Sequence, residues 1–188
     1  MTAKKVLIVL AEGAEEMEAV IAIDVLRRAK LQVIVAGLEG VTPVRCSRGV
    51  VITPDAGLAS LTDDFDALVL PGGAQGAQRL AASPAVGDLL RAHERAKRWV
   101  AAICAAPIAL KAHSVFRERR MTSHPSVRAE LESWATYSTR SVVEDGTLIT
   151  SQGPGTAFAF ALRLVGALTN AETMAAVRAP MMFPVQVS

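Results

Sequence analysis

Apolar positions along this chain of 188 residues fall into two alternating rhythms. Some are short unbroken runs, and others are longer stretches that repeat at helical spacing. KVLIVL at Lys5–Leu10 and LQVIVAG at Leu31–Gly37 are runs of the first kind and predict strands. The stretch between them, Glu15–Lys30, predicts a helix. Ala67–Leu70, Trp99–Ile103 and Thr147–Thr150 predict further buried strands, while Pro84–Lys97, Ala105–His113 and Thr156–Leu168 predict helices. Val44–Val51 adds a hairpin or an edge strand. The strand runs are apolar on both faces, so the expected fold is α/β, with a mostly parallel central sheet covered by helices on each side. No linker, internal repeat or low-complexity tract interrupts residues 1–188, which predicts one domain.

In such sheets ligands bind beyond the carboxyl ends of the strands. The residues at those ends are Ala11–Gly13, Pro71–Gly73, Cys104–Ala106 and Ser151–Gly155. Cys104 follows a buried strand, opens a helix and has small residues around it, as a nucleophile exposed on a tight turn needs, although alanines stand where glycines usually flank such a turn. Pro107 suits the first helical turn, and the helix N-terminus is expected to favour the Cys104 thiolate. A buried, inert thiol is the alternative. Glu18 bears on that choice. On a helical wheel it lies within the apolar stripe Ala14, Ile21, Ala22, Val25 and Ala29, where a carboxylate is costly unless protonated or paired. A raised Glu18 pKa next to a thiol is the expected result, and a carboxylate at the edge of the stripe near the helix start is the alternative. Gly72 and Gly73 free backbone N–H groups for an anion or simply form a turn. His124, in Thr122–Pro125, is a candidate base. Val20 and Ile23, set among Glu16, Arg27 and Lys30 on the charged far side of the first helix, suggest a partner surface.

Composition narrows the classes. Apolar residues reach 51% with few aromatics, and the net charge of +2 is scattered, which does not indicate a nucleic-acid binder. No run is long enough to span a membrane, and the short N-terminal apolar run reads as a strand rather than a signal peptide. Cys46 and Cys104 are too few for a disulfide framework, so a reduced intracellular setting is expected. Cys46 reads as structural, with Arg45 and Arg48 as an alternative small-anion site. His93 and His113 read as surface residues, and the three histidines form no metal signature.

GAEEMEAV, VAGLEG, PVRCSRGVVITPDAGL, LVLPGGAQGAQ, AAICAAPIAL, TSHP and TSQGPGTAFAFAL occur in this order. Together they resemble the DJ-one subfamily of the ThiJ/PfpI superfamily, from about Lys4 to Pro180. The resemblance implies a flavodoxin-like three-layer sandwich that forms a homodimer, without a cofactor. It implies a reactive Cys104 hydrogen-bonded by protonated Glu18, with His124 nearby and oxyanion donors from the backbone of Gly72, Gly73 and Ala105. Arg28 and Arg48 match positions lining a small anion pocket near the dimer interface. The implied activity is a cysteine-dependent glyoxalase or deglycase acting on methylglyoxal or its early adducts. The implied alternative is a redox sensor and redox-regulated chaperone in which turnover is incidental. The expected location is the cytoplasm, with nucleus and mitochondrion as further compartments. A protease or amidase, implied by remoter relatives, needs a histidine beside the cysteine, and none adjoins Cys104. Four departures stand out: Thr53 replaces a second peripheral cysteine, Gln152 replaces an arginine, Val115–Met121 is basic, and Pro184 in the tail precludes an extended closing helix.

Overall fold

The computed structural model describes residues 3–62 and 64–183. Eleven strands occur among them: β1 (Lys5–Leu10), β2 (Gln32–Gly37), β3 (Val44–Arg45), β4 (Val51–Ile52), β5 (Ala56–Gly57), β6 (Ala67–Leu70), β7 (Trp99–Ile103), β8 (Arg120–Met121), β9 (Thr136–Tyr137), β10 (Val142–Asp145) and β11 (Leu148–Ser151). The helices are α1 (Glu16–Arg28), α2 (Ala74–Ala82), α3 (Pro84–Arg95), α4 (Pro107–Ala112), α5 (Arg128–Leu131), α6 (Ala157–Leu168) and α7 (Ala171–Arg178). The main sheet has the order β10-β11-β7-β6-β1-β2-β5 and is parallel except for β10 against β11. This is the expected α/β sandwich. Alternate residues of each strand feed two cores. Val6, Ile8, Val69, Ala101 and Ile103 pack with α1 and α6, while Leu7, Val9, Leu68, Leu70, Val100 and Ala102 pack with α2, α3 and α4. The expected hairpin is present as β3 paired antiparallel with β4.

Three predicted helices end earlier than expected, for one reason. After α1, Lys30 has φ 61°, and its N–H reaches Arg27 O while Leu31 N–H reaches Leu26 O. Lys97 (φ 52°) after α3 and Ser114 (φ 57°) after α4 repeat the pattern, with Arg98 N–H on His93 O and Val115 N–H on Leu110 O. These are Schellman ends, which glycine usually marks. Here lysine or serine occupies the left-handed position, so the sequence carries no stop signal.

Elements absent from the sequence-based expectation are α2, α5, α7, β10 and the short strands β5, β8 and β9. Helix α2 contains Gly76, an ordinary mark against a helix. A Cβ there would lie 2.8 Å from Ala14 Cα, so glycine is what lets α2 approach the β1–α1 loop. The Pro184 tail lies outside the described residues. No helix among the described residues is long and apolar enough to cross a membrane.

The chain order reverses direction across the sheet between β1 and β6. Their carboxyl ends carry the loops 11–15 and 71–73, and the β7 end beside them carries Cys104. The topology therefore gathers three of the four predicted strand ends around one crevice.

Candidate active site

Cys104 occupies the turn between β7 and α4 with φ 63°. A non-glycine residue pays for that left-handed backbone with roughly 1–2 kcal/mol, which surrounding contacts must offset. They are present on both sides. Cys104 N–H donates to Ser151 O at 2.9 Å, tying the turn to the end of β11. Cys104 O accepts from His124 N–H at 2.8 Å, tying it to the 122–125 loop. The side chain is 9% exposed, so the thiol borders the crevice but is largely enclosed.

Glu18 enters from α1 and is 1% exposed, as its place on the apolar stripe requires. Its Oε2 accepts from Gly72 N–H at 2.8 Å, its carboxyl adjoins Cys104 across Gly72, and its Oε1 is buried without a hydrogen-bond partner. Burial is the main reason its pKa is raised to about 7, with the charge of Glu15 adding to it and the Gly72 N–H and the Cys104 thiol opposing it. Glu18 therefore gains and releases a proton near neutrality.

The thiol departs from expectation. Burial first, and then the charge of Glu18, push Cys104 up to about 12, while the N–H groups of Gly73 and Ala105 pull it down. The helix beyond it, α4, has only six residues and supplies no strong dipole to reverse the cost of burial. The N–H of Ala105 at the head of α4 favours the thiolate as expected, but burial and the charge of Glu18 outweigh it. The thiolate forms when the proton passes to Glu18, because the enclosed pair accommodates one negative charge far better than two.

Glycine is obligatory in the wall of this pair. A Cβ on Gly72 would lie 2.5 Å from Cys104 Cβ and 2.7 Å from Glu18 Oε2. Gly73 has φ 85°, and a Cβ there would lie 2.7 Å from Glu15 N. The expected backbone donors divide accordingly. The N–H groups of Gly73 and Ala105 favour charge on the sulfur, whereas Gly72 N–H is committed to Glu18.

His124 is exposed, and its contact with the cysteine runs through the backbone. Its Nδ1 accepts from Ser126 N–H at 3.2 Å and lies 2.8 Å from Ser126 Oγ, so the neutral ring carries its proton on Nε2. Arg28 and Arg48 are not brought together within one chain. Arg28 pairs with Asp24 at the end of α1 (2.5 Å), whereas Arg48 N–H binds Glu16 at its beginning (2.8 Å), about 18 Å away along the helix.

Other expectations need correction. Glu16, read as part of a charged outer face, is buried and accepts from Ser47 Oγ and Arg48 N–H, both at 2.8 Å, pinning the β3–β4 hairpin to α1. His93 is 3% exposed rather than a surface residue, with Nδ1 donating to Leu89 O, and burial lowers its pKa. His113 is half-buried and bonded through Nε2 to Leu80 O. Cys46 is buried among Glu16, Glu15 and Glu12, a poor setting for an anion. The sequence reading also passed over Ser151, whose carbonyl anchors Cys104, and Glu15, described below. Their main signal is position, since both stand where a strand or helix meets the crevice.

A parallel sheet with its switch point beside a left-handed cysteine, and a buried carboxyl against that cysteine, define a cysteine-centred α/β protein of flavodoxin-like architecture. The chain belongs to the DJ-1/PfpI family, whose model matches residues 4–167. It is 48% identical over 185 residues to the Parkinson disease protein 7 homolog of Danio rerio, covering 96% of this chain and 98% of that protein. It is 40% identical to the glutathione-independent glyoxalase DJR-1.2 of Caenorhabditis elegans, with 92% and 93% covered. The crystal structure of Drosophila melanogaster DJ-1beta superposes with a TM-score of 0.96 at 46% identity, over 98% of this chain and 100% of that one.

Proposed function

We propose that this protein is a cofactor-independent glyoxalase that converts methylglyoxal and related 2-oxoaldehydes to 2-hydroxy acids. The observation that carries the reading is the Glu18 carboxyl, buried against Cys104 and poised to exchange a proton near neutral pH. The thiolate adds to the aldehyde carbon as its own proton moves to Glu18. The resulting hemithioacetal oxygen is stabilised by the Gly73 and Ala105 N–H groups and takes a proton from Glu18. Glu18, now a carboxylate, removes the proton from that carbon and returns it at the neighbouring carbonyl carbon through an enediol, leaving a lactyl thioester. Water hydrolyses the thioester to lactate and restores the thiol, so methylglyoxal plus water gives lactate with no external redox partner. His124, on the loop bonded to Cys104, assists this last proton transfer. The name of the Caenorhabditis elegans relative supports the reading. Purified protein supplied with methylglyoxal and no glutathione is expected to form lactate. Production no greater than that of Cys104→Ser would overturn the proposal.

A second reading, redox sensing, uses the same groups. N–H donors at the sulfur and a protonatable carboxyl beside it also suit a cysteine sulfinate. Mild peroxide is then expected to add two oxygens to Cys104 and none to Cys46 by mass spectrometry, and equal oxidation of both would refute tuned sensing.

We also propose a homodimer. Met17 and Val20 on α1 and Val50 and Val51 at the hairpin are all about half exposed, an apolar set that a second copy would cover. Sedimentation is expected to give twice the mass of one chain for the protein and a shift to monomer for Val20→Glu.

A further inference from the structure

Glu15 is an unusual residue to find capping a helix. Short side chains are preferred at that position because they reach the first-turn N–H groups at little entropic cost. Here the longer carboxylate does the work, with Oε2 accepting from Glu18 N–H at 2.8 Å. Its main chain is equally committed, because Glu15 N–H donates to Gly72 O at 3.0 Å. Gly72 N–H in turn donates to Glu18 Oε2 at 2.8 Å. Glu15, Gly72 and Glu18 therefore form a closed ring of three hydrogen bonds, in which each residue is bonded to the other two. The ring abuts the sulfur site, since Gly73, whose N–H favours charge on Cys104, is packed so tightly on Glu15 N that a Cβ would stand 2.7 Å from it.

We propose that Glu15 is a positioning residue for the Cys104–Glu18 pair, holding the Glu18 main chain and the Gly72–Gly73 turn in one fixed geometry. Its carboxylate also places a negative charge beside the buried carboxyl of Glu18, which favours the protonated form of Glu18. The groups acting on Glu18 are Gly72 from the β6–α2 turn, Cys104 from the β7–α4 turn and Glu15 from the head of α1 itself. Of these, Glu15 supplies charge without touching the reacting atoms. A helix cap alone requires neither the charge nor the bond to Gly72. The inference rests on the assignment of Cys104 and Glu18 as the reacting pair.

The test compares Glu15→Gln, which keeps an oxygen able to cap α1 but removes the charge, with Glu15→Ala, which removes both. The Glu18 side-chain carboxyl is followed by carbon NMR across pH, together with the pH profile of Cys104 alkylation by iodoacetamide in a Cys46→Ser background. Glu15→Gln is expected to lower the Glu18 midpoint by about half a unit, the size of a screened interaction between like charges, and to move the alkylation profile in the same direction with little loss of thermal stability. Glu15→Ala is expected to add a loss of thermal stability, and Glu15→Asp, which restores charge and cap, to return the midpoint toward the wild-type value. A Glu18 midpoint unchanged in Glu15→Gln would overturn the proposal and reduce Glu15 to a helix cap. Neither readout uses a carbonyl substrate, so failure of the glyoxalase reaction would leave this test intact.

Discussion

The two cysteines occupy matching settings and differ in what surrounds them. Both lie in tight turns beside the head of α1, both are buried, and burial pushes both thiols up, Cys104 to about 12 and Cys46 to about 11. Around Cys46 every further influence is a carboxylate, from Glu16, Glu15 and Glu12 in that order, and each raises the thiol further. Glu16 and Glu12 spend their oxygens on the hairpin backbone, at Arg48 N–H and Arg45 N–H. Around Cys104 the N–H groups of Gly73 and Ala105 favour charge on the sulfur, and the neighbouring carboxyl itself takes up a proton near pH 7. Burial by itself makes a thiol inert. Reactivity needs a proton partner and donors enclosed in the same space.

The contrast is sharpest in turnover. Cys104→Ser is expected to lower lactate formation by about a thousandfold or more, on the order of 4 kcal/mol in barrier, while Cys46→Ser leaves it within about twofold. A comparable loss from Cys46→Ser would erase the distinction between the two sites.

The next effect is on stability. The folded value of Glu18, about 7, lies above its ordinary 4.5, so folding favours the protonated form. Its stabilising contribution is full below pH 4.5 and is lost as pH rises to about 7, an amount of about 3 kcal/mol at most. In denaturant titrations wild type is therefore expected to fall behind Glu18→Gln, which stays neutral throughout, as pH rises over that window. A constant difference would mean that Glu18 has an ordinary pKa.

Glycines on the two turns supply a smaller contrast. Gly72→Ala forces a Cβ against Cys104 and Glu18 and is expected to cost about 3 kcal/mol, with loss of Cys104 reactivity. Gly49, in the turn after Cys46, has φ 91° and no neighbour within 4 Å of a Cβ. Gly49→Ala should therefore cost only backbone strain, about 1 kcal/mol, as read by chemical denaturation. The smallest effect belongs to Glu12→Gln, which removes the weakest of the three charges around Cys46. It is expected to lower that thiol's midpoint by a few tenths of a unit, measured by alkylation against pH in a Cys104→Ser background.

The strands were legible because each is a run of apolar residues buried on both faces, and Lys5–Leu10, Ala67–Leu70 and Trp99–Ile103 appear with the bounds their patterns suggest. Glu18 was legible because a carboxylate interrupted an apolar stripe. Helix ends were not, since Lys30, Lys97 and Ser114 adopt the left-handed conformation that glycine normally announces. Glu16 looked like part of an outer face because its burial comes from the β3–β4 hairpin, thirty residues onward and invisible to the periodicity of a single helix.

What the sequence determined by itself was the layer order, the placement of reactive residue types at strand ends, and the pairing of a core-facing carboxylate with an elbow cysteine. These follow from local periodicity and from the rule that parallel strands present their carboxyl ends to a ligand. Only the tertiary structure decided how the proton is held. The high thiol value, the division of N–H donors between Gly72 and Gly73, and the ring linking Glu15 to Glu18 arise where β1, β6 and β7 end side by side. Desolvation and hydrogen bonding act through space, and they are set by neighbours that lie dozens of residues apart along the chain.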